Sequence, residues 1–416
     1  MLRAAPRILV SVSLGAALGV SAPGRAEDWP QWLGPDRNGI SKETGWRSTF
    51  GADGPTMLWK TRVGVGYSSV AVCKGRLYTL GNTSDTDTLL CLNARTGGLV
   101  WQHTYACSAT APRKIVKLYP GTRCTPTVAG GRVFSFSRDG RVLCLTAADG
   151  KLLWSVDVRK KPVGAEVPSW GFACSPLVLG ERVILDAGPI VALEAASGKL
   201  AWKTKAYRAA YSSPVALSLD GRRCIATLNG AGLTVVAASD GNEVLLYPFA
   251  FLWIDNCVTP IVSGRRCFIS AGERPGSALI ELGKDKAVEV WRNSNMLNLS
   301  TNSVLFEGHL YGFHGAAVGP KSLRCVELET GEKKWNTRSL RQGALIIADG
   351  KLIAIGGKGD LVIAEASPAG LKPLTRKKVL AGTCWTVPVL ANGMIYCRNA
   401  AGELVCLDVR GEGSRE

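Results

Sequence analysis

The chain has 416 residues, 46% of them apolar, with 48 glycines and 20 prolines. That is ample material for a large, turn-dense core, and no long helical periodicity or low-complexity tract interrupts it. The formal charge of +17 is spread along the chain, with only short runs such as RKK at 159–161 and 376–378. It therefore reads as solvated faces rather than a nucleic-acid-binding surface.

Residues 1–26 carry Arg3 and Arg7, an apolar stretch from Ile8 to Val20, then small residues ending at Ala26. This pattern predicts a secretory signal peptide cut after Ala26, with retention as an anchor the alternative. Removing it takes three arginines and no acid, leaving +14. No cysteine precedes Cys73, so a lipid-modified N-terminal cysteine has no candidate. Export implies a periplasmic or extracellular address. Residues 27–56 are predicted to be an N-terminal extension packing on the main domain, which spans 57–411 before a short tail at 412–416.

From residue 57 onward the chain repeats itself. CLNARTGGLVW (91–101), CLTAADGKLLW (144–154), ALEAASGKLAW (192–202) and CVELETGEKKW (325–335) share a turn glycine followed four residues later by tryptophan. A glycine opening an alternating apolar run recurs as well, at Gly75, Gly131, Gly180, Gly221, Gly264, Gly308, Gly350 and Gly393. Eight units of four short β-type runs predict an all-β, eight-bladed β-propeller of four-stranded antiparallel blades. The last unit lacks its outer run, and MLWKTRV (57–63) at the other end looks like LLWSVDV (152–158). The N-terminal strand is therefore expected to close the ring, which removes an open sheet seam. Trp59, Trp101, Trp154, Trp202, Trp291 and Trp335 are read as structural tryptophans wedged between blades; Leu245 holds that position in the fourth unit.

Thirteen cysteines would permit disulfides after export, but none are adjacent and no C-x-x-C pair occurs. Cys91, Cys144, Cys325 and Cys406 share one repeat position, which suits small buried packing residues. The three histidines show no metal-ligand spacing, and no metal site is predicted.

Residues just before each inner strand should ring the mouth of the central channel. These are Tyr67, Arg123, Trp170, Tyr211, Trp253, Asp255, Asn256, Asn302 and Trp385, the candidate ligand-binding set. Aromatic side chains filling the channel as core are the alternative. Long crossings at 106–123 and 158–171 lie over the same face. No catalytic set can be assigned from spacing.

LTAADGKLLW, LNARTGGLVW and LEAASGKLAW resemble the repeat of the pyrroloquinoline-quinone (PQQ), or quinoprotein-like, eight-bladed propellers. DWPQWLGPDRNGISKETGW (28–46) and NMLNLSTNSVLFEGHLYGFHG (295–315) resemble exported propellers of this group common in planctomycete-type bacteria. The resemblance implies one of two functions. One class, similar to the outer-membrane assembly factor BamB, is a non-catalytic scaffold, implying a polypeptide or glycan partner in the cell envelope and no cofactor. The alternative is a PQQ-dependent dehydrogenase of alcohols or sugars, with calcium on a Glu/Asn/Asp set and the quinone held between a tryptophan and adjacent cysteines. This chain has no adjacent cysteines, and Asp255–Asn256 is its one acid–amide pair at the predicted mouth. The expected protein is a monomer that binds no nucleic acid and keeps no transmembrane segment after signal cleavage.

Overall fold

The computed structural model describes residues 25–110, 119–249, 256–316 and 318–411. The signal-peptide reading on residues 1–24 and the tail at 412–416 thus lie outside the described residues. Among the described residues there is no helix, and none that could cross a membrane. The strands form eight separate sheets, one per repeat. In blade 2, Thr127–Ala129, Arg132–Phe136, Arg141–Thr146 and Leu152–Asp157 run antiparallel from the inside outward. The inner strands of blades 1 to 8 begin at Ala71, Thr127, Leu177, Val215, Ile261, Val304, Gly343 and Val389.

The recurring glycine and tryptophan are two halves of one joint between neighbouring blades. The Trp154 indole N–H of blade 2 donates to the Ala195 carbonyl of blade 3 at 3.1 Å, and the ring lies on the turn glycine Gly198. A Cβ at Gly198 would come within 2.7 Å of that ring, and its φ of +74° already disfavours a side chain. Trp101 donates to Ala147 at 3.1 Å, Trp202 to Ala238 at 3.3 Å, Trp291 to Leu328 at 2.8 Å and Trp335 to Ser367 at 2.8 Å. Each tryptophan thus buries its flat face and satisfies its one polar atom in the same contact.

Within a blade the small third-strand residue makes room for two aromatics. Cys144 pairs with both Phe134 and Trp154, whose rings tilt together at 6.0 Å. Tyr78–Cys91–Trp101, Tyr311–Cys325–Trp335 and Tyr396–Cys406–Trp59 repeat the arrangement. All thirteen cysteines are free thiols. Burial pushes Cys91 and Cys325 up to about 11, and Cys144 and Cys406 up to about 12, so they remain protonated and unreactive at neutral pH.

Thr56–Arg62 pairs with Glu403–Asp408 as the outer strand of blade 8 and closes the ring. Trp59 carries the joint across the seam, donating to Ala94 of blade 1 at 3.1 Å. Arg398 of blade 8 reinforces it from inside, bonding the carbonyls of Ser68 (2.8 Å), Leu80 (2.6 Å) and Gly64 (2.9 Å). Blade 7 departs from the rule. Thr375 stands on its outer strand, because the loop that a tryptophan would dock on is cut open at the seam. Its hydroxyl instead bonds the Ser48 carbonyl (2.9 Å) and the Phe50 amide (3.2 Å) of the N-terminal segment.

That segment crosses the channel on the face of the inner hairpin turns, opposite the mouth. Trp29 exchanges backbone bonds of 2.8 Å with Val72 of blade 1, and the Pro30 carbonyl accepts from Val128 of blade 2. Arg37 reaches the carbonyls of Ser175 (3.0 Å) and Pro176 (2.9 Å) at blade 3, and the Trp32 indole donates to Thr259 at blade 5 (3.0 Å). Gly39 lies on Val304 of blade 6, and the Glu43 carboxylate accepts from Asn392 and Gly393 of blade 8. Ile40–Ser41 adds a parallel strand inside blade 7, giving that sheet five strands where the repeat predicts four. Trp29 and Leu33 of this strap are buried against the blades.

Asp186 shows how tightly the blades meet. Its carboxylate is buried between blades 3 and 4, accepting from the Thr227 hydroxyl at 2.7 Å and the Gly188 amide at 3.1 Å. Burial raises it to about 6 despite those bonds. A raised acid costs stability as pH climbs from the unfolded value through the folded one. Asp186→Asn should therefore be more favourable relative to the wild type at pH 7.5 than at pH 4, by about 1–3 kcal/mol. Denaturant melts at the two pH values check this, and a pH-independent difference would contradict the buried-acid account.

Candidate functional site: an aromatic channel mouth

The inner strands are fastened to one another where they begin. The Ser69 amide donates to the Thr125 hydroxyl (3.1 Å), the Thr125 amide to Ser175 (2.9 Å) and the Ser175 amide to Ser213 (2.9 Å). On the far side the Thr259 amide donates to Asn302 Oδ1 (3.3 Å), and Asn302 Nδ2 returns a bond to the Thr259 carbonyl (2.9 Å). Sequence reasoning missed this belt. Its signal is a hydroxyl residue before proline, in CTP (124–126), CSP (174–176), SSP (212–214) and VTP (258–260).

Above the belt the structure brings four of the predicted aromatics into one connected cluster. Tyr67 stacks on Trp385 with ring centroids 6.0 Å apart and planes inclined by 24°. Tyr119 bridges Trp385 at 5.6 Å to Trp170 at 6.0 Å, and the Tyr211 hydroxyl accepts the Trp170 amide at 3.2 Å. Tyr119 was not predicted, because it comes from the long 106–123 crossing rather than from the residues before an inner strand. It is also the most exposed of the five, at 37%; the others are half-buried.

Two glycines hold that crossing in place. Gly66, with φ of +142°, lies against Thr122, so that the Tyr67 amide reaches the Thr122 carbonyl at 2.6 Å. Gly121, with φ of +91°, lies on the Val65 carbonyl in the same way. Any side chain at either position would push Tyr119 away from Tyr67 and Trp385.

Two guanidinium groups stand beside the cluster, with the carboxylates of Asp85 and Asp87 behind them. Arg123 donates to the Tyr119 carbonyl at 3.0 Å, fixing the loop that carries the bridging ring. Behind it Arg138 is buried, bonded to the carbonyls of Ala109 and Gly121. Burial lowers it to about 10, and the neighbouring Arg123 charge acts in the same direction. Desolvation outweighs the pull of Arg123 on Tyr67, whose phenol is raised above its usual range. The mouth therefore combines aromatic faces with guanidinium groups, a surface suited to flat apolar or aromatic groups and to anions.

The remaining predicted residues divide. Trp253 and Asp255 lie outside the described residues. Asn256 is fully buried, its amide donating to the Asn229 carbonyl at 2.7 Å, and Asn302 is spent on the Thr259 backbone. These two amides hold loops together instead of facing the opening. The six structural tryptophans stay away from the mouth, in the blade joints.

The quinone site that the resemblance implies is not matched by this donor set. Tyr67 already stacks on Trp385, no adjacent cysteines exist to oppose it, and among the described residues the groups bonded to the loop carrying Tyr119 include the Arg123 and Arg138 guanidiniums. Among the described residues no three of His, Cys, Asp and Glu converge to hold a metal.

Fold and repeat together define a PQQ-repeat eight-bladed propeller. The chain belongs to the family described as outer membrane protein assembly factor BamB, which matches residues 109–337. It is 27% identical over 300 residues to BamB of Escherichia coli (strain K12), covering 68% of this chain and 73% of that one. Against BamB of Yersinia pestis it is 25% identical over 304 residues, covering 67% and 72%. Among solved structures, BamB from Moraxella catarrhalis superposes with a TM-score of 0.62 at 16% identity, over 85% of this chain and 97% of that one. The quinohemoprotein alcohol dehydrogenase from Comamonas testosteroni gives 0.68 at 12% identity, over 92% and 81%. At such identities these two likenesses speak to the fold alone.

Proposed function

We propose that this chain is a non-catalytic docking protein of the cell envelope, and that its ligand is a polypeptide held at the aromatic mouth. The observation that carries this reading is the Tyr67–Trp385–Tyr119–Trp170 cluster, fixed on a belt of inter-blade hydrogen bonds. Rigid, half-exposed aromatics beside guanidinium groups are what protein-binding surfaces concentrate, because little side-chain entropy is lost when they are covered. Behind the cluster the strap crosses the channel, so the mouth is a floor for docking rather than a passage. The family's description as an assembly factor agrees with a protein partner.

A photo-crosslinker placed at Tyr119 tests this in envelope preparations. It should capture a defined polypeptide, and Trp385→Ala should reduce that capture about tenfold or more, the loss expected for an aromatic anchor. A crosslinker at Val290, far from the mouth, should not capture it. Equal capture from both positions, or capture indifferent to Trp385→Ala, would count against the mouth as the docking surface.

A further inference from the structure

The outer strands of three consecutive blades carry a pair of exposed apolar residues at or next to their first position. These are Met57 and Leu58 on blade 8, Leu99 and Val100 on blade 1, and Leu152 and Leu153 on blade 2, between 37% and 57% exposed. Consecutive strand residues normally face opposite ways. Here each pair spans a β-bulge that leaves Leu58, Val100 and Leu153 as the extra, unpaired residue, so both members reach solvent. The same place on blade 6 is taken by Lys333 and Lys334. Blades 8, 1 and 2 adjoin around the ring, and every pair sits beside its outer turn, on the strap's face. The six side chains form one apolar arc on the rim opposite the mouth.

Two further observations say what covers this arc. Lys74, Arg95 and Lys151 stand exposed in the turns beside it and make no ion pair among the described residues. The chain also enters the fold there, since Asp28 bonds the Lys74 amide of blade 1 (3.0 Å) and the Asn392 amide group of blade 8 (3.0 Å). The 24 residues before Arg25 include the uncharged apolar run from Ile8 to Val20. Where that run is retained as an anchor instead of being cut off, the described chain enters the fold beside the arc.

We propose that this arc is a bilayer-contacting surface. Met57, Leu58, Leu99, Val100, Leu152 and Leu153 enter the interfacial region of an anionic phospholipid bilayer, while Lys74, Arg95 and Lys151 lie at the headgroup phosphates. Apolar side chains ringed by basic ones bind such surfaces reversibly and in a salt-sensitive way. In this orientation the aromatic mouth points away from the membrane, toward soluble partners. Val288 and Val290, exposed on blade 5 across the ring, are outside the arc. They flank Glu289, whose carboxylate pairs with Arg292 at 2.8 Å.

The full chain mixed with vesicles of phosphatidylethanolamine and phosphatidylglycerol provides the test, with phosphatidylcholine vesicles as the uncharged comparison. Cosedimentation should favour the anionic vesicles and weaken with salt. Amide exchange should slow at 57–59, 99–101 and 152–154 when vesicles are present, and stay unchanged at 288–290. The combined Leu99→Ser, Val100→Ser, Leu152→Ser and Leu153→Ser variant should bind about tenfold or more weakly, given the apolar groups lost. The Val288→Ser, Val290→Ser variant should bind like the wild type. If the Ile8–Val20 run alone carried binding, the arc would show no protection and the serine variant would bind unchanged, which would overturn the proposal. Protection of the arc that rises with protein concentration in the absence of lipid would overturn it too, pointing to a second copy as the occupant.

Discussion

Trp154→Ala should destabilise the protein by about 3–5 kcal/mol, the range for removing a large aromatic from a core. The side chain is 9% exposed, its N–H is committed to Ala195, and its ring is the surface on which the next blade's turn rests. Truncation leaves a cavity between two blades and orphans a carbonyl in the same place. Gly198→Ala should cost less, because the first term is the positive φ, about 1–2 kcal/mol for an L residue. The second term is the approach of its Cβ to the Trp154 ring. In the double variant that approach is gone, so the two losses should fall short of their sum by about 1 kcal/mol or more. Denaturant melts of the four proteins read this directly. Additive losses would mean that glycine and tryptophan do not act as one joint.

A second large effect concerns the two ends of the ring. A chain beginning at Gly51 keeps the closing strand Thr56–Arg62 but loses the strap. It should remain a soluble monomer with a melting temperature lowered by about 10 °C or more, since Trp29 and Leu33 leave the core. A chain beginning at Val63 also loses the closing strand. It exposes the Glu403–Asp408 edge and removes Trp59 from blade 1, so it should aggregate. Size-exclusion chromatography and thermal melts distinguish the two, and identical behaviour would contradict strand-borrowed closure.

What the sequence made legible follows from what repeats. The turn glycine and the tryptophan recur because every blade joint needs both, so the blade count and the seam could be read from Gly150, Trp154 and their equivalents. Even the exceptions carry sense afterwards, as with Thr375, which stands where no neighbouring turn exists to receive a tryptophan. The strap was not legible in the same way. Its contacts run from Val72 to Gly393, set by which blades happen to meet at the channel and not by any local period. The mouth was half legible. Tyr67, Trp170, Tyr211 and Trp385 could be placed by counting back from inner strands, whereas Tyr119 depends on how a long crossing folds over Gly66 and Gly121. Asn256 and Asn302 mislead for a physical reason: buried backbone groups near a channel need partners, and amide side chains supply them. Arg37, Arg138 and Arg398 carry no sequence mark at all, since their acceptors are backbone carbonyls from distant loops.

The docking account stands most directly on whether the mouth performs redox chemistry. Purified protein supplied with pyrroloquinoline quinone, calcium and an artificial electron acceptor can be assayed across a panel of alcohols and aldoses. A dehydrogenase must hold the quinone against a metal and place a base beside the substrate, and Tyr67, Trp385, Arg123 and Arg138 supply neither metal ligand nor base at neutral pH. The account predicts turnover no greater than in the protein-free control. Sustained turnover abolished by Asp255→Ala would contradict it and make Asp255 a catalytic residue.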